Sequence, residues 1–158
     1  MKKITPFLWF DGRIAEAIEF YPSVFPEMKV LGTIPGPGGP MSATFELDGQ
    51  QFIAFNGGPH IKLTPAVSMY VRCESQEEVD RLWARLTDGG AESRCGWLVD
   101  RFGLSWQIIP SILPELMFGP DREKADRVVQ AMLGMNRIDI AALERAAAAS
   151  PTSKEARS

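Results

Sequence analysis

The stretch from Ser42 to Asn56 constrains the fold most. Residues 42–47 alternate strictly, with Ala43, Phe45 and Leu47 on one face against Ser42, Thr44 and Glu46 on the other, the pattern of a half-buried strand. Asp48-Gly49 then supplies the two positive φ values of a tight turn, and residues 51–56 return as the partner strand.

Around this hairpin one order of elements is read twice. Residues 4–10 form an apolar strand ending at the turn Asp11-Gly12, and Ile14, Ile18, Tyr21 and Phe25 recur at helical spacing. Pro22 removes an amide and crowds the preceding turn, so this helix is expected to kink or stop near Tyr21. Residues 28–34 read as the next strand, and the prolines and glycines of 35–40 as a loop. After Gly57-Gly58-Pro59, residues 66–72 alternate Val67, Met69 and Val71 against Ser68, Tyr70 and Arg72. Ser75 and Glu78 make a capping box before the stripe Val79, Leu82, Trp83 and Leu86, and Gly89-Gly90 ends that helix. Short strands follow at 92–94, 97–100 and 104–109, with a turn through Arg101-Phe102-Gly103. The stripes at 18, 21, 25 and at 79, 82, 86 share one internal spacing, which suggests an internal duplication.

Asp121 can cap a helix carrying Ala125, Val128, Val129 and Met132, and Asp139 another carrying Ile140 and Leu143. These helices are expected on the outer face of the sheet or against a second subunit. The reading is an α+β fold in a single domain over 1–148, with modules at about 1–60 and 61–112, helices at about 113–148 and a flexible tail over 149–158.

With 158 residues, a single core buries roughly 70% of the unfolded surface and needs no metal or disulfide to hold it. A net charge of −3, with Lys and Arg scattered, argues against nucleic acid as a partner. No apolar run reaches signal-peptide or membrane-spanning length, so a cytoplasmic protein without a membrane segment is expected. Cys73 and Cys95 match no zinc or redox spacing and read as reduced thiols, Cys95 having no neighbouring His or Lys to activate it.

Several chemistries lack their residues. The glycines at 36–39 and 57–58 join strand to strand rather than opening a helix, so neither makes a phosphate or adenosyl cradle. His60 is the one histidine, set in a loop, and serves neither a metal cluster nor a triad with Ser68. Glu46, Asp48 and Asp100 sit on or beside turns and form no carboxylate cluster. Ser68, Ser105 and Gln107 instead put polar groups on strand faces opposite apolar ones, as a ligand cup requires. Trp83 reads as core, and Trp106 as facing the covering helix with Gln107 turned inward.

The segments ITPFLWFDG, FYPSVFP, FNGGP, VSMYVRCESQEEVDRLW, LTDGG, CGWLVDRFGLSWQIIP and AMLGMNRIDIAALERA together resemble the PhnB-like proteins. These belong to the vicinal oxygen chelate superfamily of glyoxalases, bleomycin-resistance proteins and extradiol dioxygenases. The resemblance implies two tandem βαβββ modules forming a cupped mixed sheet, with added C-terminal helices, in a homodimer. Family members often bear the label 3-demethylubiquinone-9 3-methyltransferase, which the missing adenosyl-methionine loop leaves unsupported. Metal-dependent members bind a divalent ion through His and Glu. The matching positions here are Gln107, Ala66 with Ser68 beside it, Ile4 or Pro6, and Phe52, so the classical quartet is missing. The expected function is therefore binding of a small-molecule ligand in a cup lined by Asn56, Ser68, Tyr70, Ser105 and Gln107, with no cofactor required. The alternative is a lyase or oxygenase-type enzyme in which a divalent metal joins Gln107.

Overall fold

The computed structural model describes residues 3–149. In chain order it contains β1 (Phe7–Phe10), α1 (Ile14–Val24), β2 (Lys29–Gly36), β3 (Gly39–Leu47), β4 (Gln50–Asn56), β5 (Ser68–Cys73) and α2 (Gln76–Thr87). There follow β6 (Ala91–Glu92), β7 (Trp97–Val99), β8 (Ser105–Pro110), α3 (Ile112–Phe118), α4 (Arg122–Leu133) and α5 (Ile140–Ala148). The strands form two four-stranded sheets, ordered β1-β4-β3-β2 and β5-β8-β7-β6, so the βαβββ order occurs twice and the fold is α+β, as expected. The chain groups into two compact units: residues up to Ser68 with Asp100–Ser105, and Met69–Val99 with the residues from Trp106 onward. The expected tail falls almost wholly outside the described residues.

In the first unit, β1 runs parallel to β4, while β3 is antiparallel to both β2 and β4. The β3–β4 turn is built as its sequence dictates, with Asp48 at φ 47° and Gly49 at φ 72° and Leu47 opposite Gln50. Helix α1 packs on β3 and β4, burying Ile14, Ala17, Tyr21 and Val24 on the face that carries Phe45, Phe52 and Ala54. Of the kink or stop expected near Tyr21, the stop does not occur: the helix runs through Pro22 to Val24, where burial of Tyr21 and Val24 offsets a proline cost of about 3 kcal/mol. The expected loop over 35–40 contracts to a two-residue turn, with Pro35 opposite Pro40 and Gly36 opposite Gly39. The prolines are tolerated because β2 is the sheet edge and the two paired residues both lack an amide. Two register shifts also interrupt β2, which blunts an edge strand whose Val30, Leu31 and Ile34 are exposed.

In the second unit, Ser75 Oγ accepts from Glu78 N at 3.1 Å, and the Glu78 carboxylate accepts from Glu74 N at 2.8 Å, a capping box displaced by one residue. The stripe Val79, Leu82, Trp83 and Leu86 is buried as its spacing implies. Ile109 of β8 joins Leu113, Val128, Ile138 and Leu143 in one apolar cluster, which fixes the C-terminal helices to the sheet. Asp121 and Asp139 cap α4 and α5 by accepting from Lys124 N and Ala142 N.

Candidate functional site

The five residues expected to line a cup fall in different settings. Asn56 shares the phase of the buried Phe52 and Ala54; its Oδ1 accepts from Ile14 N at 3.2 Å and its Nδ2 donates to Pro40 O at 3.0 Å. It ties the start of α1 to the β2–β3 hairpin. Ser68 begins β5 half-buried, and two residues on Tyr70 is 53% exposed, its phenol raised above the usual value mainly by partial burial. Gln107 is half-buried on β8, the strand next to β5. Ser105 is 1% exposed, and its Oγ has no hydrogen-bond partner among the described residues.

The positions matching the superfamily's metal ligands do not make a cation site. Phe52 is buried and stacked on Phe45 with ring centroids 5.1 Å apart, and Ala66 lies exposed ahead of β5. No group of three His, Cys, Asp or Glu side chains gathers among the described residues, and His60 is exposed in its loop. A hard or borderline divalent ion needs several such donors, so these residues do not fit one.

A hollow of about 290 Å³ lies instead within the first unit, at the end of β1 and the start of α1. Its walls come from Trp9, Phe10, Asp11 and Arg13, from Ile61, Lys62 and Leu63 of the connecting loop, and from Phe102. In β1 the alternation buries Leu8 and Phe10 and turns Trp9 to the other face of the sheet. There the indole lies against Gly57, where an added Cβ would sit 2.0 Å from the ring, and its Nε1 donates to Gly58 O at 2.9 Å. The glycine pair that suggested a phosphate loop thus serves as the bed for an aromatic wall.

Phe102 is held as firmly. Its ring centroid lies 5.9, 5.7 and 5.5 Å from those of Phe10, Phe20 and Tyr21, and the Arg13 guanidinium stands 4.7 Å over its face. The turn carrying it is fixed by Asp100, which is 2% exposed and accepts from Tyr21 Oη at 2.7 Å, Phe102 N at 2.9 Å and Leu104 N at 3.0 Å. Burial pushes the Tyr21 phenol well above its usual range, and the Asp100 charge adds to the rise.

The charges on the cavity wall divide into engaged and open. Arg13 donates from Nε and Nη2 to Glu16 and from Nη1 to Arg101 O, and these hydrogen bonds hold the Glu16 carboxyl below its usual value. Asp11 and Lys62, both exposed, have no side-chain hydrogen bond or ion pair among the described residues. Sequence reasoning missed this constellation because it draws on three segments far apart in the chain. The one local signal was Trp9-x-Asp11 at a strand end.

The family model described as 3-demethylubiquinone-9 3-methyltransferase matches residues 2–109. The PhnB protein of Bacillus cereus is 35% identical over 70% of this chain and 100% of its own, with a TM-score of 0.64. A glyoxylase/bleomycin resistance protein/dioxygenase domain from Frankia is 15% identical over 70% of this chain and 92% of its own, with a TM-score of 0.50. FosX of Listeria monocytogenes, a fosfomycin resistance protein complexed with Mn(II) and sulfate, is 13% identical over 67% of this chain and 89% of its own, also at 0.50. These last two show a shared fold alone. No curated protein matches the chain. From the family match and the close PhnB relative together, the chain belongs to the PhnB-like family, whose model bears the methyltransferase description.

Proposed function

We propose that the protein binds a small organic molecule in the hollow of its first unit, without a divalent metal and without S-adenosylmethionine. The cavity carries this reading: about 290 Å³ lies near the lower end of ligand pockets, which span about 300–1,000 Å³. Two of its aromatic walls are locked in place before any ligand arrives, Trp9 on its glycine bed and Phe102 under Arg13, so little ordering cost opposes binding.

The metal-dependent reading draws on FosX, which holds Mn(II), but the donor set here does not fit such an ion. The methyltransferase description would require an adenosyl site. The glycines at 36–39 belong to a hairpin and those at 57–58 lead into a loop, so neither presents helix amides to a cofactor.

A thermal-shift screen of metabolites, with and without Mn(II) or chelator, tests the proposal, since a ligand of the native state raises the melting temperature by mass action. At least one organic compound should stabilise the protein equally in both conditions, and Trp9→Ala should abolish the effect. Stabilisation that depends on the metal, or a shift with S-adenosylmethionine, would overturn it.

The unpartnered hydroxyl of Ser105 favours a second reading, in which a ligand meets the polar row of β8. Ser105→Ala is the discriminating variant. Loss of ligand affinity supports that reading, whereas unchanged affinity with equal or higher stability marks the hydroxyl as structural only.

A further inference from the structure

Building on that reading of the cavity, we infer that its ligand is amphoteric, carrying one ammonium-type cation and one carboxylate- or phosphonate-type anion on a flat apolar body. The cavity wall offers one open carboxylate, Asp11, and one open ammonium, Lys62, and no ion pair joins them. Arg13 is a weaker anion receptor than Lys62, because each of its three nitrogens already donates to Glu16 or Arg101 O, the Glu16 carboxylate offsets its charge and its face lies on Phe102. A purely anionic ligand would pair with Lys62 but enter the field of Asp11; a purely cationic one would do the reverse. Only a molecule with both charges meets both side chains favourably. The same wall carries aromatic and aliphatic side chains, Trp9, Phe102, Ile61 and Leu63, which suit a flat ring rather than a polyol.

Calorimetric titration of the full chain with phenylalanine, 3-phenylpropanoate and 2-phenylethylamine tests the inference, since the three share a ring and differ in charge. Phenylalanine should bind tightest, with each singly charged analogue weaker by about threefold to tenfold, the range for partly solvated charge pairs and charged hydrogen bonds. Lys62→Met should erase the preference for phenylalanine over the amine, and Asp11→Asn the preference over the propanoate. Either analogue binding as tightly as phenylalanine, or no measurable binding by any of the three at millimolar concentration, overturns the inference. The two failures are separable. If a compound from the screen still binds and Trp9→Ala abolishes it, the cavity reading stands while the amphoteric ligand falls. If binding ignores Trp9→Ala, both fall.

Discussion

Replacing Tyr21 by Phe removes a single oxygen from the first unit, and the structure gives the consequence a magnitude. Tyr21 is 3% exposed and Asp100 2%, and the phenol donates to Asp100 Oδ2 at 2.7 Å. Hydrogen bonds to charged groups are worth about 1.5–3 kcal/mol, so Tyr21→Phe should destabilise by about 2 kcal/mol with the aromatic packing against Phe45 and Phe102 retained. At a urea m-value of about 2 kcal/mol/M, this lowers the unfolding midpoint by about 1 M without altering m. A pH signature accompanies it. The native phenol is raised above the ordinary value of 10.0, so the folded protein keeps a proton that the unfolded chain releases above pH 10. The contribution is complete below pH 10 and declines as pH rises beyond it, and Tyr21→Phe should flatten that decline. Because Asp100 also fixes the turn that carries Phe102, the variant should weaken ligand binding although Tyr21 lines no part of the hollow. An unfolding free energy within about 0.5 kcal/mol of the native protein's, at equal m, would refute the reasoning.

Gly57→Ala would place a Cβ 2.0 Å from the Trp9 ring, so the indole must move and lose its bond to Gly58 O; we expect about 1–3 kcal/mol of destabilisation and an altered near-ultraviolet dichroism spectrum. Gly96→Ala meets Ile109 Cδ1 at 2.7 Å and Ile108 O at 2.9 Å at a φ of +83°, and should destabilise the second unit by at least about 2 kcal/mol in urea melts. Cys73 is fully buried and its thiol is pushed up to about 12, chiefly by burial, so at pH 8 it should react with a disulfide reagent only after unfolding. Asp121→Ala removes the cap on Lys124 N and should lower stability by about 1 kcal/mol.

What was legible in the sequence is what short-range physics decides. The hairpin at Asp48-Gly49, the Ser75 cap and the stripe from Val79 to Leu86 are each fixed by residues within one or two turns of one another. The misreadings came where distant contacts override local rules. Pro22 stays inside α1 because Tyr21 is anchored to Asp100, 79 residues away, and the prolines near 35–40 enter strands because β2 lies at an edge that no local pattern announces. The partners of Asn56, Ile14 N and Pro40 O, lie 42 and 16 residues away, beyond what strand phase can announce. The hollow escaped for the same reason: Trp9, Lys62 and Phe102 carry no shared periodicity, and only the folded first unit brings them together.

The central claim is that this hollow receives the ligand. Amide and indole chemical-shift mapping by NMR, with phenylalanine titrated into the uniformly labelled full chain, tests it most directly. The account predicts shifts concentrated at Trp9, Asp11, Lys62 and Phe102, including the Trp9 indole N–H. Shifts that leave those residues unmoved and gather on another surface would contradict it.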